Sequence, residues 1–165
     1  MTSDKHLALD ALRTALGNIR PQNGNWHDLS GRVFPTLINP TLLPFAVQPG
    51  ERWVYVCVPL VQDASGFESV GTMLRRHWTV SLWGFAGESE GLRTSSSETE
   101  DIAKLEDDIL AAVLGDGKLS GTCERCRPVS SEASAGWPTE GGRRWGEMRM
   151  KFEITQRLGL DTLGP

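Results

Sequence analysis

Glu147-Met148-Arg149-Met150-Lys151-Phe152-Glu153-Ile154-Thr155 decides the fold class. Met148, Met150, Phe152 and Ile154 alternate with charged or polar neighbours, so one face is apolar and the other wet. That is the pattern of a half-buried antiparallel strand. Such a strand needs paired neighbours in a sheet and a second layer over its apolar face. Both are found upstream.

Leu74 to Phe85 alternates in the same way, with Trp78, Val80 and Leu82 on one face and His77, Thr79, Ser81 and Trp83 on the other. Arg52-Trp53-Val54-Tyr55-Val56-Cys57-Val58 is apolar on both faces, which predicts a strand covered from both sides. Arg32-Val33-Phe34 begins an extended stretch, after which Pro35, Pro40, Pro44 and Pro49 limit Pro44-Phe45-Ala46-Val47 to an edge strand or hairpin arm. Cys123 to Val129 is a short strand candidate. Gln62 to Thr72 reads as a polar connection. The Gly- and Ser-rich segments Gly87 to Ser97 and Ser130 to Gly142 read as long loops, mobile in the free chain.

Two amphipathic segments supply the covering layer. Leu7/Ala8, Ala11/Leu12, Ala15/Leu16 and Ile19 recur at helical spacing, with Ser3 placed to cap the helix and Gly17-Asn18 to stop it. Ile102, Leu105, Ile109 and Val113 form a second stripe. Ser97 and Glu100 have the spacing of a capping box, and Gly115 and Gly117 close the helix. Its remaining surface carries Glu98, Glu100, Asp101, Glu106, Asp107 and Asp108 against Lys104. An acidic helix face is usually solvated, so the surface with Glu106, Asp107 and Asp108 is expected to look outward. The order helix, hairpin, strand, strand, helix, strand, strand predicts an α+β fold. It is a largely antiparallel or mixed β-sheet with two helices on one face, plus a β-hairpin and long loops. One domain spans 1–165, with loops at 86–97 and 129–142 and a short C-terminal extension at 158–165.

The chain has 165 residues, 17 Lys+Arg against 21 Asp+Glu, and a formal charge of −4. That is one domain's worth of chain, and its mild acidity is unsuited to gripping duplex nucleic acid. No apolar run approaches the roughly 20 residues of a membrane helix, so no membrane partner is expected. The start, Met1 to His6, lacks the apolar core of a signal peptide, which predicts a protein retained in the cell with reduced cysteines.

Cys123-Glu124-Arg125-Cys126 is the one motif with ligand-like spacing, but it has no second pair and follows a helix rather than starting one. The acidic helix holds carboxylates without convergent partners, and no nucleophile, base and orienting acid are spaced as a set. No catalytic residue, cofactor or metal is therefore expected. Arg75-Arg76 and Arg143-Arg144 are too short for a nucleic-acid patch, yet each stands beside a predicted loop where it can meet acidic residues of a neighbour. Trp83 and Trp137 are the corresponding aromatic candidates for a partner interface.

The sequence resembles the tail terminator (tail completion, or minor tail) proteins of lambda-like, long-tailed bacteriophages. The resemblance rests on the helix Leu7 to Ile19, the stretch Arg32-Val33-Phe34 leading into the proline-punctuated hairpin, and the strands Trp53 to Val58 and His77 to Gly84. The acidic helix Asp101 to Ile109 and the last strand Met148 to Thr155 complete it. It spans nearly the whole chain and lies in the order and character of elements. The segment Val129 to Gly142 and the tail Leu158 to Pro165 depart from the pattern. The resemblance implies a structural virion protein, assembled in the host cytoplasm. Its homo-oligomeric ring, a hexamer, would cap the tail tube protein, stop tube growth and join a head-completion or neck protein, while DNA passes through without specific binding. A neck or head-closure protein, a tail-tube subunit, and a small metal- or thiol-dependent enzyme are the alternatives.

Overall fold

Strand β4 (Met73–Gly87) is the spine of the molecule, because it is long enough to serve three partners. The computed structural model describes residues 4–35, 52–57, 66–71, 73–87, 95–138 and 144–158. Ahead of β4 come α1 (Asp4–Gly17), a 3-10 turn (Pro21–Asn23), β1 (Val33–Phe34), β2 (Arg52–Cys57) and β3 (Gly66–Val70). After it come α2 (Ser95–Leu114), β5 (Arg125–Pro138) and β6 (Arg144–Leu158). Along one edge, β4 pairs antiparallel with β6 from Leu74↔Leu158 to Gly87↔Trp145. Its other edge is shared, with β3 on Met73–His77 and β2 on Ser81–Ala86. The sheet order is β1-β2-β4-β6-β5, with β1 parallel to β2 and every other pair antiparallel. This is an α+β fold on a mixed, mostly antiparallel sheet.

Residue parity explains the layers. Trp78, Val80 and Leu82 of β4 and Met148, Met150, Phe152 and Ile154 of β6 share one face and are buried together. Ala8, Leu12, Leu16 and Ile19 from α1 and Ile102, Leu105, Ile109 and Val113 from α2 close over them in the same cluster. Gly84 gives Met148 of β6 and Leu105 of α2 room to pack on the sheet: a Cβ there would stand 2.9 Å from Met148 Cγ and 3.2 Å from Leu105 Cδ2. The end of α2 is a glycine stop. Gly115 N–H donates to Ala111 O at 3.0 Å, and Gly117 takes φ +62° while donating to Val113 O.

The predicted stripes of both helices and the alternation of β4 and β6 match this arrangement, although Leu7 is 46% exposed. Several boundaries are corrected. The predicted polar connection Gln62 to Thr72 contains β3, which turns at Gly71 (φ +62°) into β4. All five β3 residues are exposed, so the hairpin is held by backbone pairing and leaves no burial pattern in the sequence. The predicted loop at 129–142 is strand as far as Pro138, paired with β6 through to Pro138↔Arg144. From Val129 to Ala133 its side chains are exposed, and β6 supplies the pairing template. The predicted loop at 86–97 is also shorter: β4 continues to Gly87 and α2 begins at Ser95, which puts Ser97 inside the first turn. Leu158, assigned to the C-terminal extension, closes β6 and is 4% exposed. The hairpin arm Pro44 to Val47 lies outside the described residues.

Candidate assembly surface

On the helix-covered face Asp108 is tied into the fold: its side chain is 4% exposed and lies beside the core stripe of α2, three residues after Leu105. It accepts the Trp26 backbone N–H at 3.0 Å, the His27 backbone N–H at 2.9 Å and the His27 Nδ1–H at 2.9 Å. One carboxylate thereby ties the 26–27 turn, 81 residues away in sequence, onto α2. Asp108 is thus no part of an outward acidic face, while Asp107 is exposed and Glu106 half-buried. An Asp–His pair also supplies two of the three members of a nucleophilic triad, but the nearby Ser30 hydroxyl donates to Asp28, not to His27. That bond, the Ser30 N–H and the Arg20 and Arg32 charges hold the Asp28 carboxyl below its ordinary range. Sequence reading missed the Asp108 link. The available signal was its helical offset of three from Leu105 and one from Ile109.

Gln156 plays the equivalent part at the other end of the sheet. Its Oε1 accepts Trp78 Nε1–H at 2.9 Å and Arg76 Nη2–H at 2.7 Å, and its Nε2 donates to Thr122 O at 3.1 Å. Arg76 is therefore turned toward the helix-covered side. Burial, with the Arg76 charge close by, lowers the Lys5 ammonium, which stands 5.2 Å from the Trp78 ring centroid.

The opposite face carries no helix among the described residues. Trp83 is half-buried at its middle, and the Arg149 guanidinium lies 3.8 Å from the ring centroid while its Nε donates to Glu147 at 2.8 Å. Arg127 pairs with Glu153 at 2.8 Å on the same face, and Lys151 is exposed beside them. Toward one end a recess of about 730 Å³ opens between Arg75, His77, Lys118, Glu124 and Arg125. Arg75 Nε donates to Glu124 at 2.9 Å, and His77 stands 3.5 Å from Glu68. Cys123 borders the recess but is 7% exposed, and Cys126 is 3% exposed. Burial pushes the two thiols up to about 11 and about 12, so both stay protonated at neutral pH, the opposite of what thiolate chemistry requires. Among the described residues no three His, Cys, Asp or Glu side chains converge as metal ligands, and no helix is long and apolar enough to cross a membrane.

The predicted interface residues are thus separated rather than assembled. Arg75 and Trp83 lie on the helix-free face, while Arg76 is bound into the Gln156 network. Both arginines sit inside β4 and not at its flank. Trp137 is in β5, opposite Trp145 in β6, instead of in a loop; its side chain, that of Arg144, and Arg143 altogether lie outside the described residues. Sequence reading missed Arg149, whose place over Trp83 follows from direct pairing of the two positions in β4 and β6. It also missed Trp26, 65% exposed with Lys104 Nζ 4.9 Å from its ring centroid. No protein-family model matches the chain, and no curated protein matches it.

Proposed function

We propose that the chain is a structural subunit that closes into a ring, acting as the tail terminator of a long-tailed bacteriophage. In this reading the ring, a hexamer, caps the tail tube protein, halts its polymerisation and presents the surface for a head-completion or neck protein. The work is done by shape and surface, with no bond made or broken. The observation that supports it is the unequal treatment of the sheet. One face is covered by two helices, with Asp108 and Gln156 bound into its packing, and the other carries Trp83, paired charges and surplus cations on a rigid strand scaffold. Rigid strands suit repeated contacts better than loops do. A net charge of −4 on every subunit suits a ring that DNA crosses, because a basic lumen would hold phosphates.

Electron microscopy of the purified protein tests the reading. Closed rings one subunit thick support it. Long tubes would make it a tail-tube subunit, and rings that bind filled heads but never tube ends would make it a neck or head-closure protein. Particles no larger than one chain at all concentrations would remove it.

A further inference from the structure

The surplus charges of the molecule sit on opposite sides of it. On the helix-free face, Arg75 of β4 stands directly across from Arg157 of β6, a like-charge cross-strand pair that costs stability unless anions offset it. Arg125, opposite Thr155, has the same parity, and Lys118 reaches the same recess from the turn after α2. The carboxylates nearby among the described residues are already engaged: Asp116, close enough to act on the Cys123 thiol, accepts the Ser120 N–H. Glu124 is engaged by Arg75 at 2.9 Å, and Glu68 faces His77 at 3.5 Å. Among the described residues, Lys118, Arg125 and Arg157 have no carboxylate within ion-pair distance. In a chain of net charge −4, this is a concentrated cationic site.

The complementary set lies on α2, across the sheet. Glu106 and Asp107 have no cation within ion-pair distance among the described residues, because Lys104 is engaged by Glu100 at 2.5 Å. We propose that the recess at Arg75, Lys118 and Arg125, with Arg157 across from Arg75 on the same face, is a subunit contact that receives the Glu106–Asp107 corner of α2 from a second copy of this chain. The inference rests on the ring reading and gives that ring its contact. Matching patches on opposite sides of one subunit make a head-to-tail interface, the kind that generates rings when the rotation closes. Charge complementarity also selects the register: sliding the helix along the recess would leave desolvated charges unpaired.

Charge exchange on the full-length protein tests it, with particle mass read across a dilution series. Lys118→Glu with Arg125→Glu, or Glu106→Lys with Asp107→Lys, each raises the dissociation midpoint by about tenfold or more, as expected for charge pairs at a contact. Combining all four substitutions restores the midpoint to within about threefold of the parent. All four positions are at least partly exposed, so the fold should survive. Wild-type rings give a second readout without any variant: raising salt from about 0.1 to 1 M, which shortens the screening length from about 10 to 3 Å, should loosen them. Rings insensitive to both reversals and to salt overturn the contact and leave the ring reading standing. Rings broken by each reversal but not rescued by the combination also overturn it. So does a recess that retains duplex DNA in the wild type, loses it in the Lys118/Arg125 variant and has no effect on rings. A wild-type protein that is monomeric throughout overturns the contact and the ring reading together.

Discussion

The two faces of the sheet come from the same strands, often from adjacent residues, yet they handle polarity in opposite ways. Toward the helices, each buried polar side chain discussed above is used several times: Asp108 accepts from two backbone N–H groups and an imidazole, and Gln156 binds Trp78, Arg76 and Thr122. Away from the helices, ion pairs such as Arg127–Glu153 and Arg75–Glu124 are simple and partly exposed, and among the described residues Lys118, Arg125 and Arg157 have no carboxylate within ion-pair distance. A buried group without its partner costs the full desolvation penalty, whereas an exposed pair gains little. The first face is therefore committed to folding, and the second has interaction capacity to spare.

The sharpest way to break this contrast is Asp108→Ala. It leaves the Trp26 and His27 donors without an acceptor and should cost about 3–5 kcal/mol, read as a lower urea midpoint at unchanged slope. Asp108→Asn, which keeps one acceptor oxygen, should lose less. Gly84→Ala comes next. Its Cβ would press on Met148 and Leu105, and overpacking of this kind costs about 1–3 kcal/mol in thermal or chemical unfolding.

Replacing Cys123 and Cys126 together by Ser should cost about 1–2 kcal/mol and leave assembly intact, since the thiols are packed and protonated rather than used. Their pH dependence follows from the same burial. Both folded-state values, about 11 and about 12, lie above the roughly 8.5 of an unfolded thiol, so the native state keeps its protons longer. That part of stability is complete below about pH 8.5 and declines as pH rises toward 11, where alkylation by iodoacetamide should accelerate. The smallest effect belongs to the helix-free face. A double-mutant cycle on Arg127 and Glu153 should return a coupling below about 1 kcal/mol, because both side chains are partly exposed to solvent.

What could be read from the sequence follows from the same contrast. Both helices, β4 and the apolar half of β6 were legible, since burial imposes a period on Trp78, Val80, Leu82, Met148, Phe152 and Ile154. β3 and the outer half of β5 were not. Gly66 to Val70 and Val129 to Ala133 are exposed, and their partners in β4 and β6 fix them through backbone hydrogen bonds that no composition encodes. At the candidate surface, Arg75 and Trp83 were identified individually, but their placement depended on strand register. Asp108 was assigned to the solvent because charge was weighed above its position on the buried stripe.

The mass of the wild-type particle in solution tests the central claim most directly, that the uncovered face exists to join copies of this chain into a closed ring. Native mass spectrometry or mass photometry at moderate salt should give one dominant species at six times the 18.1-kDa chain mass, stable over a dilution series. A species at 18.1 kDa at every concentration, or an open-ended ladder of masses that grows with concentration, would contradict it.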